Sequence, residues 1–266
     1  MWRCVLGVIT LTTDFGLRDG YVAAMKGAIL AIAPDVSLVD VSHQVPPQDV
    51  ASGAYILSRA YRYFPAGTVH LAVVDPGVGS ARRAIEVETA DHRFVGPDNG
   101  LFSAVFQRES TWSAVEIRNA GYFRSEVSPT FHGRDVFGPV AAHLCNGVPP
   151  AELGPPVADP VRLNLWTVQE CDNSVVGRIV HVDRFGNAIS NLGKRRLGYE
   201  DARVQAGEFK FDRICRTYAD VPEGRALALY GSDNALEIAI NGGNAARNLG
   251  LKRGDRITVD FGPEYA

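Results

Sequence analysis

An α/β domain followed by a small antiparallel β-barrel is the fold the sequence predicts, and three observations carry it. Up to Gly147, short runs rich in Val and Ile alternate with segments of helical periodicity. Five prolines then fall between Pro149 and Pro160. Beyond them the pattern changes to short alternating strands separated by turn residues. The domain reading is residues 1–147 for the α/β part, 148–164 for a Pro-rich linker and 165–266 for the barrel.

The elements follow in order. GVITLTT reads as a strand, and DGYVAAMKGAILAIAP as a helix whose Val22, Met25, Ile29 and Ala33 share one stripe before Pro34 stops it. SLVDVS, QDVASGAYILSRAYRYF and TVHLAVVD continue a β-α-β-α-β order, which implies a mostly parallel sheet with helices on its faces. GVPPAELGPPVADP cannot continue a helix or sit in a central strand. GRIVHVD, AISNL, RVQAGEFKFD, RALALYG, LEIAIN and RITVDF are the barrel strands. There is no internal repeat and no low-complexity tract.

Composition bounds the ligand. The 266 residues carry a net charge of −3, with 46% hydrophobic and 21% charged residues, ordinary for a globular chain and without a basic footprint for nucleic acid or an anionic membrane. A small molecule is the expected partner. Cys4, Cys145, Cys171 and Cys215 are too scattered for a zinc finger or a disulfide framework, and read as reduced and buried in a cytoplasmic protein. MWRCVLGVIT has too short an apolar core and no cleavage site for a signal peptide, and no run is long enough to span a membrane.

Chemistry gathers at the strand ends. Asp14 follows VITLTT and Asp75 follows HLAVV, the carboxyl ends where open parallel sheets bind ligands. VVDPGVGSARR has glycines for a tight turn, yet neither the third glycine of a dinucleotide fingerprint nor a P-loop lysine. DFG at Asp14 stands without the other kinase motifs. A second loop, SPTFHGRDVFGPVAAHL, brings His132 and Arg134 to the start of a helical segment. An aspartate, a fixed cation (Arg82 or Arg83) and a titratable ring on such loops make a candidate catalytic group.

Together, TTDFGLRDGYVAAMKG, VVDPGVGSARR, GPDNGLF, TFHGRDVFGP, VDRFGNAISN and GSDNALEIAINGGNAA resemble the S-adenosyl-L-methionine hydrolase (SAM hydroxide adenosyltransferase) family, relatives of fluorinase and chlorinase. The resemblance implies hydrolysis to adenosine and methionine without cofactor or metal. It also implies homotrimers whose sites lie between one subunit's first domain and its neighbour's second. The catalytic triad of the family falls on Asp75, Arg82 and His132, the count from the aspartate choosing Arg82 over Arg83. By the same resemblance Asp14 takes the ribose hydroxyls, Asp19 the methionine ammonium, and Asp183, Asn187, Ser232 and Glu237 further parts of the substrate. Phe131 and Phe185 are candidates to stack on adenine. Tyr21 and Asp233 depart from the serine and arginine of fluorinase, so recognition of the amino-acid end differs here.

The alternatives are a halogenase, a divalent-metal hydrolase built on Asp14, Asp75, Asp98 and His132, and a nucleoside-binding module without catalysis. Asp75 repels halide and attracts the hydrogens of water, which favours hydrolysis. Metal ligation lacks a compact ligand cluster in the sequence, and a non-catalytic module would be marked by a broken triad.

Overall fold

Val8–Thr13 (β1) opens the computed structural model, which describes residues 7–194 and 202–261. Cys4 lies outside them. The chain divides between Leu163 and Asn164 into two compact units.

The first unit continues with Tyr21–Leu30 (α1), Ser37–Ser42 (β2), Val50–Ala60 (α2), Val69–Val73 (β3), Ala84–Thr89 (β4), Arg93–Pro97 (β5), Ser103–Arg108 (α3), Trp112–Glu116 (β6) and Gly138–Cys145 (α4). Its sheet has the order β2-β1-β3-β5-β4-β6. The pairings β1–β2, β1–β3 and β3–β5 are parallel, while β4 runs antiparallel to both β5 and β6. So β4 alone is reversed. Only the turn after Thr89 separates β4 from β5, closed by Thr89 N–H donating to His92 O at 2.9 Å, and so short a connection cannot hold a crossover helix.

Alternation along the strands divides the core. Ile9, Leu11, Val69, Leu71 and Val73 face Met25, Ile29, Phe137 and Val140 from α1 and the α4 region, all fully or nearly fully buried. On the opposite face Thr10 pairs with His70 at 2.7 Å, and Tyr61, just after α2, packs its ring edge-on against His70 and Phe94. α2 begins at Asp49, whose carboxylate accepts from Ser52 N and Ser52 Oγ at 3.0 and 2.8 Å. From β1 the chain goes to β2 on one side and then returns to β3 on the other. The order therefore switches between β1 and β3, where an open sheet leaves a crevice at the strand carboxyl ends.

The proline-rich segment falls in the first unit. Leu153 is fully buried, Val157 N–H donates to Ala114 O at 2.8 Å, and Arg83 holds Asp159 at 2.8 Å. Prolines limited regular structure in the segment to a 3-10 turn at Pro150–Glu152 and an isolated bridge from Pro156 to Val115, but its backbone still found partners along β6.

The second unit contains Gln169–Cys171 (β7), Ser174–Val182 (β8), Ala188–Gly193 (β9), Arg203–Ala206 (β10), Phe209–Phe211 (β11), Ile214–Cys215 (β12), Ala226–Tyr230 (β13), Ala235–Ile240 (β14), Ala245–Leu249 (α5) and Arg256–Asp260 (β15). They form one barrel-like sheet of order β11-β10-β15-β8-β9-β14-β13-β12, with β7 on β8. Its pairings are antiparallel except for β12–β13, which is parallel and so corrects the uniformly antiparallel expectation. Long β8 serves both halves, pairing with β15 up to Arg178 and with β9 from Ile179. Of the described cysteines Cys215 is buried, Cys145 is half-buried and Cys171 is exposed, and all three are free. The expectation that all are buried fails because Cys171 ends an edge strand. No helix among the described residues is long and apolar enough to cross a membrane.

Two buried groups in the first sheet set opposing pH limits. Burial, with His92 adding to it, pushes His70 down to about 3. Burial, with Glu88 adding to it, pushes Glu86 up to about 8. The unfolded chain protonates His70 below about 6.5 and the fold does not, so this group costs stability as pH falls from there. Folded Glu86 keeps a proton that the unfolded chain releases above about 4.5, so it costs stability as pH rises toward 8. We therefore expect Glu86→Gln to gain on the parent by up to about 1.4 kcal/mol per pH unit between pH ~5 and ~8 in denaturant unfolding. A difference that stays constant over that range contradicts the assignment.

Candidate active site

Asp75 stands just beyond β3 at the switch point, and the next turn folds back to set Arg82 against it. Arg82 Nε lies 3.0 Å from both carboxylate oxygens of Asp75, and an Nη2 hydrogen goes to Oδ2 at 2.6 Å. The same Nη2 approaches His132 Nδ1 at 2.8 Å. Arg82 thus joins residues from two loops. Both side chains of the ion pair are largely enclosed, and the guanidinium carbon sits 5.1 Å from the centre of the Phe137 ring.

Geometry fixes the histidine's state. A guanidinium only donates, so Nδ1 must accept and the ring must be neutral, with its hydrogen on Nε2. Burial and the neighbouring Arg82 charge lower the His132 pKa, overriding the opposing pull of Asp75 and Asp135. His132 directly precedes a π-helical turn, Gly133–Phe137, which runs into α4. Within this turn Asp135 is fully buried. Burial alone would raise its carboxyl, but hydrogen bonds from Arg134 and Ser128 N, with the Arg134 and Arg124 charges, hold it low. Asp135 therefore ties the 124–128 strand of loop to the histidine's own turn, a connector that sequence reasoning missed although HGRD contains it.

The glycines of VVDPGVGSARR now have a cause. Gly79 has φ +76°, and a Cβ there would lie 2.5 Å from Pro129 O. The Asp75–Arg82 turn therefore abuts the His132 loop through bare backbone. Arg83 turns away to Asp98, at 2.8 Å from Nε to Oδ2, and to Asp159. Asp98 also accepts from Val161 N at 2.8 Å. Arg83 is an anchor for the proline-rich segment, so of the two arginines only Arg82 meets Asp75 and His132.

Asp14 follows β1 at the same sheet edge, half-buried, with Oδ2 accepting from Gln48 N at 2.7 Å. Gln48 adopts φ 63°, a left-handed backbone uncommon outside glycine. Asp19 is exposed on the loop before α1. Phe131 forms an edge-to-face cluster with Phe15 at 5.7 Å and Tyr21 at 5.4 Å, and Arg134 lies over its ring.

In the second unit Asp183 accepts from Asn187 N at 2.8 Å and from Asn187 Nδ2 at 3.0 Å across the turn between β8 and β9. Tyr218 O–H donates to Glu237 at 2.6 Å and also neighbours Asn187. Burial and Glu237 raise the Tyr218 pKa, keeping it a phenol. Asn187 and Glu237 are buried, whereas Phe185 and Ser232 are exposed. Tyr218, which links two expected residues, was not anticipated; its signal was the capping box Thr217–Asp220 that forms the 3-10 turn presenting it. Among the described residues no group of three or more His, Cys, Asp or Glu is arranged to hold a metal ion.

Two substitutions test the geometry. Gly79→Ala should push Pro129 away and lower catalytic turnover at least tenfold while the protein remains folded. Arg82→Lys, which cannot bridge Asp75 and His132 with one planar group, should lower it by two orders of magnitude or more. Near-parent turnover of either purified variant would show that contact between the loops is dispensable.

Residues 9–154 match the profile of the SAM hydroxide adenosyltransferase N-terminal domain, and residues 177–258 that of its C-terminal domain. The chain is 42% identical over 257 residues to an (R)-S-adenosyl-L-methionine hydrolase from Salinispora tropica, covering 96% of this chain and 98% of that one. It is 28% identical to a fluorinase from Nocardia brasiliensis, covering 96% and 97%. Among solved structures, an uncharacterized conserved protein from Thermotoga maritima superposes with TM-score 0.88 at 36% identity, covering 94% and 99%. With the profiles matched in order over most of its length, the chain belongs to the SAM hydroxide adenosyltransferase family.

Proposed function

We propose that this chain hydrolyses S-adenosyl-L-methionine to adenosine and L-methionine. The single observation that carries the reading is the contact of Arg82 with both Asp75 and His132, set beside hydrolase relatives at about 42% identity. Water attacks C5′ of the ribose, the new O–C5′ bond forms as the C5′–S bond breaks, and the bonding pair leaves on sulfur as a neutral thioether. The leaving group needs no acid and no metal to carry it off. Asp75 accepts a hydrogen of the attacking water, and neutral His132 donates from Nε2 rather than serving as base. Arg82 holds both in register and offsets the negative charge of the hydroxide-like oxygen.

Asp14 clamps the ribose diol, and Asp19 receives the methionine ammonium. Phe131, and from the second unit Asp183, Phe185, Asn187, Ser232 and Glu237, complete the contacts. Resemblance to the family supports these roles and a cytoplasmic homotrimer with sites shared between subunits. The R prefix in the relatives' name extends here to the R sulfonium as substrate form. A halogenase reading is disfavoured by the carboxylate of Asp75, which a halide nucleophile would have to approach.

Reaction in ¹⁸O-labelled water should place label on the 5′-oxygen of adenosine, with turnover unchanged by EDTA and faster for the R than the S sulfonium epimer. Halogenated nucleoside as the main product in chloride, or activity lost to EDTA and restored by a divalent cation, overturns the reading. The pH profile should show an acid limb with midpoint below about 6.5, where protonation of His132 breaks its bond with Arg82. His132→Gln should remove that limb.

A further inference from the structure

Behind Asp14 lies a chain of side chains that the proposed reaction does not use. Thr13 is fully buried at the end of β1, immediately before the aspartate. Its Oγ1 lies 2.8 Å from His43 Nδ1 and accepts from Phe15 N at 3.3 Å. His43 Nε2 is 3.0 Å from Asp40 Oδ1, and Asp40 Oδ2 accepts from Lys26 Nζ at 2.7 Å. The order threonine, histidine, carboxylate is that of an activated nucleophile, but a hydroxyl with no exposure cannot meet a substrate.

The contacts nevertheless form one continuous line from Lys26 to Thr13. Thr13 Oγ1 accepts from Phe15 N–H and keeps a second contact for His43 Nδ1, either atom donating according to the ring's tautomer. His43 Nε2 lies within ion-pair distance of Asp40 Oδ1 without hydrogen-bond alignment, and Lys26 balances the Asp40 charge. Backbone contacts bind the same two loops: Gly16 N–H donates to His43 O at 2.8 Å, and Val45 N–H approaches Thr13 O at 3.4 Å. The loop ends at Gln48, whose left-handed backbone presents its N–H to Asp14. Thus Asp14 is gripped from both sides, its own backbone through Thr13 and its carboxylate through Gln48.

We propose that Lys26, Asp40, His43 and Thr13 form a positioning relay that aims the Asp14 carboxylate at the ribose 2′- and 3′-hydroxyls and so sets selectivity for a ribonucleoside. The relay rests on the reading of Asp14 as the diol clamp. Its members touch neither the diol nor the reacting atoms. Thr13→Val removes the hydroxyl at nearly constant volume, and His43→Leu removes both ring nitrogens. Each loosens one side of the grip while leaving Asp75, Arg82 and His132 in place.

The test compares kcat/KM of the full chain for S-adenosyl-L-methionine and for its 2′-deoxy analogue. In Thr13→Val and His43→Leu the preference for the ribose substrate should shrink by roughly tenfold, the loss expected when a charge-assisted hydrogen bond is misaligned. The deoxy substrate should be little affected. Thr13→Ser, which keeps the hydroxyl, should restore the preference, and Asp40→Asn, at a more exposed place, should show a smaller loss in the same direction. Equal losses on both substrates, or an unchanged preference, overturn the relay. Asp14→Asn separates the two levels. If it abolishes the preference while the relay variants keep it, the relay alone is wrong; if it leaves the preference intact, the clamp is wrong and the relay falls with it.

Discussion

Arg82 is the constraint on which the site depends. Its planar group donates to Asp75 through Nε and Nη2 and to His132 from the same Nη2, so one planar group fixes the mutual arrangement of the two loops. Phe137 beneath it and Gly79 beside Pro129 are the conditions for that arrangement: a ring to support the cation, and an approach too close for a side chain. Removing the arginine would leave Asp75 as a largely enclosed carboxylate without its cation, at a cost of about 3–5 kcal/mol.

The sheet supplies the coarse placement and the loops the fine one. Reversal of strand order between β1 and β3 brings Asp14 and Asp75 to one crevice, and the π-helical turn before α4 delivers His132. Asp14 and His132 are each held by further hydrogen bonds of their own surroundings. Asp14 has the Gln48 amide and the Thr13 contacts, and the His132 turn has Asp135. In the second unit the equivalent device is Tyr218 between Asn187 and Glu237. The displacement proposed above gains from such rigidity, because it tolerates little angular error.

Much of this was legible in the sequence, and the reasons differ by residue. Apolar runs with turn residues located β1 to β3 and the barrel strands other than the short β7 and β12, because period and punctuation are local signals. Reversal of β4 was not foreseen, since the turn from Thr89 to Arg93 resembles any other polar stop. The proline-rich segment read as a tether because prolines forbid regular pairing, yet its anchors Arg83 and Asp98 lie some sixty or more residues upstream. The choice of Arg82 over Arg83 came from resemblance alone; the structure separates them by their partners. Tyr218 and the Thr13–His43 contact escaped notice because they join residues distant in the sequence, and Asp135 because nothing in HGRD marks it as buried. Single polar side chains carry no periodicity to reveal that.

The most direct measurement is the ¹⁵N chemical shifts of the His132 ring in selectively labelled protein across neutral pH. If Arg82 donates to Nδ1, the ring is neutral, with Nδ1 bare and Nε2 protonated, and Arg82→Lys disturbs that pattern. A ring protonated on Nδ1, or doubly protonated near pH 7, is incompatible with the Arg82 bridge and contradicts the site built on it.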